Sequence, residues 1–180
     1  MRVGGRAVWG LVCAALVLAN LRPAAQSVSL QQDLLDDWTS QKTSLTKISE
    51  AMPAEKYGFK STPAQRNFGE QVLHIAEANV VQMGRLGAKS PAPVINMKET
   101  ARGAILQALA DSFDYGTAVI KEQTDQTLLL PAGPSRFSFF GPSTRTRVAY
   151  YVMGHTWDIY GQMVVYLRLN GIVPPASQRP

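Results

Sequence analysis

The stretch GHTWDIYGQMVVYLRLNGIVPPAS, residues 154–177, decides how this chain folds. It belongs to a helix that the spacing predicts from near Thr144 to just before Gly171, with Pro174 and Pro175 beyond its end. At about 100° per residue, Val148, Val152, His155, Ile159, Met163 and Tyr166 share one face. Ala149, Met153, Trp157, Tyr160, Val164 and Leu167 form a second, about 120° away. One apolar face packs a helix into a monomeric bundle. The second needs cover from a neighbouring helix, from the loop that carries Phe137-Ser-Phe-Phe140, or from a second copy of the chain. The first face also holds His155. A helical metal site wants another histidine one turn on, and the residue there is Ile159.

Working outward, the rest of the chain is also patterned for helices. Leu30, Leu34, Trp38, Leu45, Ile48 and Met52 form one stripe, with Gln41 its polar exception, and Pro53 ends the segment. A loop follows. Asn67 and Glu70 then stand at capping-box spacing before the stripe Phe68, Val72, Ile75, Met83 and Leu86, for which Gly87 is the expected stop. Asn96 and Glu99 repeat the capping arrangement ahead of Ile105, Leu109, Phe113, Gly116 and Ile120. Residues 125–143 read as an irregular connection, with its aromatic run laid over the bundle. No segment alternates as a strand would. The expected architecture is therefore all-α, a four-helix bundle over residues 28–177.

Residues 1–25 read as a signal peptide. Arg2 and Arg6 give a positive start, Ala7–Leu21 is apolar apart from Gly10 and Asn20, and small residues precede a cleavage expected after Ala25. That run of 15 residues is short of the ~20 a membrane-spanning helix needs, so export to a periplasmic or extracellular space is expected, without a stable membrane anchor. The chain's net charge of +5 falls to +2 without Arg2, Arg6 and Arg22, and no dense basic stripe remains to suggest nucleic acid. The single cysteine, Cys13, lies in the leader, so the mature protein has no thiol for a disulfide, a nucleophile or a metal.

The pattern W…AMP…Y.F…R.FGE….HIA.AN over residues 38–79, followed by H….YGQ…YLR.NGI.PP.S over residues 155–177, resembles the DinB-like family. The resemblance spans roughly residues 30–177. It implies a four-helix bundle, often dimeric, here through the last helix (Met153, Trp157, Tyr160, Val164). It also implies a divalent metal, zinc or nickel, held by one histidine of the second helix and a His-x-x-x-His pair of the last. Some such proteins transfer small thiols. Carried onto this chain, the ligand positions are His74, His155 and Ile159, and the last cannot ligate.

Two histidines hold zinc poorly without a third protein ligand. Asp158 is the candidate replacement, although it points about 100° away from Ile159 around the helix. Glu77, one turn past His74, is a weaker one. Read alone, His155 is a neutral core histidine, and His74, off its helix's main stripe, is exposed or lines a cleft. Glu70 reads as a cap rather than a general base, Tyr150, Tyr151 and Trp157 as packing, and Arg168 as a partner of the helix dipole. Two functions stay open. One is an incomplete metal site serving a metal-dependent hydrolase or thiol transferase. The other is a metal-free bundle that binds a small molecule or a protein, with Ile159 filling the place of the imidazole.

Overall fold

Four long helices carry the apolar stripes in the computed structural model, which describes residues 1, 28–136 and 141–178. The signal-peptide reading, apart from Met1, and the aromatic run at 137–140 lie outside the described residues. The order is α1 (Leu30–Ala51), α2 (Phe68–Gly84), α3 (Arg102–Lys121), a single turn α4 (Asp125–Leu128) and α5 (Arg145–Leu169). Each long helix packs against two others, in the cyclic order α1, α3, α2, α5, so α1 lies diagonally from α2. Among the described residues no helix is long and apolar enough to cross a membrane.

Local chemistry explains the boundaries. Ser29 caps α1 by accepting from Gln32 N at 3.1 Å, and the Asp125 carboxylate accepts from Leu30 N and Gln31 N, so α4 also serves the start of α1. Met52, ahead of Pro53, is extended at ψ 124° and ends the helix. The capping box at α2 is present: Asn67 Oδ1 accepts from Glu70 N at 2.8 Å, and Glu70 Oε2 accepts from Asn67 N at 2.7 Å. Thr144 caps α5, and Gly171, at φ +71°, lies just past its end.

Three expectations need correction. The helix expected to run to Gly87 ends at Gly84, and Arg85–Gly87 form a tighter turn with Leu86 N donating to Met83 O. Gly87 sits at φ +78°, a left-handed backbone that residues with a side chain rarely adopt, which favours glycine there. Asn96 and Glu99 do not cap α3. Asn96 Oδ1 accepts from Lys98 N, Glu99 Oε1 accepts from Thr100 N and Ala101 N, and the helix begins only at Arg102. That pair builds a turn of its own, because the same side chains satisfy loop amides as readily as helical ones. Residues 125–128, read as irregular, form a helical turn closed by Thr124 and Thr127.

The core centres on Trp38. Its ring is fully buried, lies 4.8 Å from Phe113 by ring centroid, and donates from Nε1 to Phe113 O at 2.9 Å. The approach is possible because α3 presents Gly116 beneath it: a Cβ there would lie 2.2 Å from Trp38 Cζ2. Gln41 is buried one turn on and donates to Met153 O of α5 at 2.9 Å. Gly116→Ala should therefore destabilise the fold by about 1–3 kcal/mol despite the better helix propensity of alanine. Urea denaturation followed by circular dichroism checks this; an unchanged or raised midpoint would contradict the close approach.

Candidate functional site

The site lies between α2 and α5, which run antiparallel. Phe68 at the start of α2 meets Tyr166 near the end of α5, while Gly87, just past α2, meets Arg145 at the start of α5. Three polar pairs bridge the two helices. Gln71 Nε2 donates to Gln162 Oε1 at 2.9 Å, the Nε2 atoms of His74 and His155 stand 3.0 Å apart, and Thr156 Oγ1 donates to Asn79 Oδ1 at 3.4 Å. Asn79 in turn donates to Ser112 Oγ of α3 at 3.2 Å. The histidine rings meet edge to face, with centroids 5.0 Å apart and planes at 89°. At that separation one Nε2 carries the hydrogen and the other offers its lone pair, so the two rings share one bridging proton.

Both imidazoles are held neutral. Burial pushes the His74 pKa down to about 4, helped by the nearby Arg66 charge and by His155, and opposed by Glu77. Burial also lowers that of His155, with Asp158 pulling it up and Arg66 down. A cavity of about 210 Å³ opens on the pair and is lined also by Ala78, Val81, Gln82 and Tyr151. Glu77 and Arg136 line it too, bridged at 3.4 Å with both side chains partly exposed. The Tyr151 ring lies parallel to that of His155, one turn away on α5, at 6.2 Å between centroids.

The residues singled out by sequence divide clearly. His74 and His155 converge, both half-buried, and each lines the cavity. Ile159 is buried, 2 % exposed, at the third ligand position. Asp158 is exposed and accepts from Gln162 Nε2 at 3.1 Å; it does not line the cavity, whereas Glu77 does. Glu70 is a capping residue. Trp157 remains 44 % exposed on α5. Gln82, Arg136 and Tyr151 were not foreseen as parts of the site. Gln82 was findable, since it stands two turns from His74 on the same helix, but Arg136 lies in a loop where spacing carries no signal.

The donor set fits a metal ion only in part. Two nitrogens each ~2.05 Å from a tetrahedral ion would stand about 3.3 Å apart, close to the observed pair. Among the described residues, however, no three His, Cys, Asp or Glu side chains cluster so as to hold an ion. The arrangement does not fit a three-ligand centre.

The lowered histidine values set the sign of a pH effect. The unfolded chain takes up protons on these rings below about pH 6.5, whereas His74 in the fold resists until about pH 4. Stability from this source is complete above about pH 6.5 and falls as pH drops toward 4. His74→Asn should flatten that slope, leaving the contribution of His155, as read from urea midpoints between pH 4 and 8. An undiminished slope would show that the histidine environment is misassigned.

A model of the DinB superfamily matches residues 38–163. Among solved structures, a DinB-like protein from Bacillus cereus ATCC 10987 superposes with a TM-score of 0.70 at 22% identity, over 80% of this chain and 95% of that one. A DinB-like protein from Bacillus subtilis does so at 0.63 and 16% identity, over 82% and 99%. At these identities the structural likeness speaks for the fold alone. No curated protein matches. With the family model spanning most of the bundle, from Trp38 of α1 to Met163 of α5, the chain belongs to the DinB superfamily.

Proposed function

We propose that this chain is a DinB-superfamily bundle whose α2–α5 cleft binds a small molecule without a resident metal ion. One observation carries the reading: His74 and His155 are hydrogen-bonded directly to each other at 3.0 Å, while the third ligand position is filled by the buried side chain of Ile159. The imidazoles satisfy one another, and the cavity beside them has apolar walls with a few polar groups, the usual make-up of a ligand site. A second reading, a zinc or nickel site serving a hydrolase or thiol transferase, draws on Glu77. That carboxylate shares the cavity with both histidines and could complete a set of two imidazoles and one carboxylate if its bridge to Arg136 opened.

Dialysed protein titrated with Zn²⁺ and Ni²⁺ by calorimetry separates the two. Wild type should retain no stoichiometric metal, and Ile159→His should bind one equivalent, tighter by more than the roughly 10–100-fold that outer-shell partners control. One equivalent in wild type, lost in both His74→Ala and Glu77→Gln, would replace the first reading with the second.

The same proposal takes the bundle to be a homodimer through α5. Met153 is already covered within the protomer, 7 % exposed, so the seam would centre on Trp157, with the half-buried Tyr160 and Val164 beside it. A Cβ added at Gly154 or Gly161 would meet nothing within 4 Å, which leaves room for a second helix to approach. Sedimentation equilibrium should report a dimer for wild type and a monomer for Trp157→Arg. A monomeric wild type at tens of micromolar would overturn the dimer.

A further inference from the structure

The polar groups around the cavity beside the histidine pair already serve one another. The Nε2 atoms of His74 and His155 spend donor and acceptor on each other at 3.0 Å. Glu77 Oε1 accepts from Arg136 Nη2 at 3.4 Å, and the amide oxygen of Gln82 accepts from Arg85 Nη1 at 2.8 Å. The buried side-chain nitrogen and oxygen atoms that lack a partner among the described residues belong to Gln41, Ser49, Gln71 and Arg145. None of these four lines the cavity. A site built for a polar ligand keeps a donor or an acceptor in reserve, because an unanswered polar group on either side costs affinity. The buried lining of this cavity holds none in reserve.

The rest of the lining is hydrocarbon and ring. Ala78 and Val81 come from α2, and Tyr151 comes from α5. The rings of Tyr151 and His155 lie within 5° of parallel, so a flat body can pack along both. Roughly 150 Å³ of apolar space takes a benzene molecule, so this cavity of about 210 Å³ admits a single ring with small substituents. Charge of either sign is disfavoured. An anion brought beside the Glu77–Arg136 bridge meets Glu77, a cation meets Arg136, and packing an ion against Ala78 and Val81 strips its water.

Resting on the reading of this cleft as a small-molecule site, we propose that its ligand is a small uncharged arene without hydrogen-bonding groups at its ends. The ring packs on Ala78, Val81 and Tyr151, parallel to the imidazole of His155, and leaves His74 and His155 bonded to each other. The site discriminates through what it withholds: a hydroxyl carried into it gives up water and finds the polar groups around it engaged.

The chain has two histidines and both line this cavity, so their two imidazole Cε1–H proton resonances report its occupancy without a label. The full chain is titrated at neutral pH, where both rings are uncharged, with p-xylene and with hydroquinone, which has the same shape and a hydroxyl at each end. The hydrocarbon should shift both resonances saturably below its solubility limit. Hydroquinone should bind at least about fivefold more weakly, the lower end of what an unpaired buried hydroxyl costs. Ala78→Phe fills the cavity with a ring of its own, and Val81→Asp sets a charge where the ligand packs; each should abolish the p-xylene shifts. Circular dichroism establishes that each variant is intact, and either one suffices if the other does not fold. Hydroquinone binding as tightly as p-xylene would overturn the arene assignment while leaving a binding cleft. Shifts that persist in a folded variant would put the arene elsewhere and overturn the assignment as well. Two resonances unmoved by either probe at millimolar concentration would overturn the assignment and the small-molecule reading together.

Discussion

The hydrogen bond between the imidazoles of His74 and His155 is the contact that fixes how α2 meets α5. Polar side chains buried between two helices tolerate few alignments, because each displaced pair leaves donors and acceptors without partners. Here there are three such pairs in a row, Gln71 with Gln162, His74 with His155, and Thr156 with Asn79. Sliding α5 by one turn would break all three. Apolar packing between the same helices would be far more forgiving, since one methyl group substitutes well for another. The cleft inherits its shape from this alignment, and Ala78, Val81 and Gln82 line it only because His74 is held against His155.

The one position that separates this site from a three-histidine centre is Ile159. An isoleucine there offers no ligand and puts apolar volume in that spot. The two imidazoles of this chain bond to each other, and burial keeps them neutral. Neutral imidazoles are good metal ligands, so nothing in their charge state excludes an ion. What the described residues lack is a third donor gathered with them. Asp158 illustrates the point: it follows His155 by three residues, yet it leaves the face on which the cleft lies and accepts from Gln162 instead.

Much of the bundle was legible in the residue pattern, because helical periodicity is a local property and strong when repeated. The stripes of α1, α2, α3 and α5 predict the buried side chains, and the Asn67–Glu70 pair marks the start of α2 to the residue. The same reasoning failed at Asn96 and Glu99, where identical residue types at identical spacing close a turn that begins six residues before the helix. A short capping motif reports the hydrogen bonds its side chains can make, not which amides receive them. The site was half legible. His74 stood out because it lies off its stripe, whereas Asp158 was kept as the candidate third ligand although helix geometry set it off the face of His155. Arg136 was invisible, since only the path of a long loop brings it beside Glu77. Gln82 was visible as a helix position, but the bond its amide oxygen accepts depends on Arg85, three residues on, turning back to it.

The two tryptophans of the described bundle have opposite surroundings. Trp38 is sealed over Gly116 with its indole nitrogen bonded, while Trp157 is 44 % exposed on the outer side of α5, edge-on to Tyr160. In a single protomer their fluorescence should differ in colour accordingly, with Trp38 emitting as in a hydrocarbon and Trp157 further to the red until a second copy covers it. The molecule thus carries two native optical reporters on separate channels: the blue one responds to the integrity of the interior, and the red one to whatever settles on the outside of the last helix.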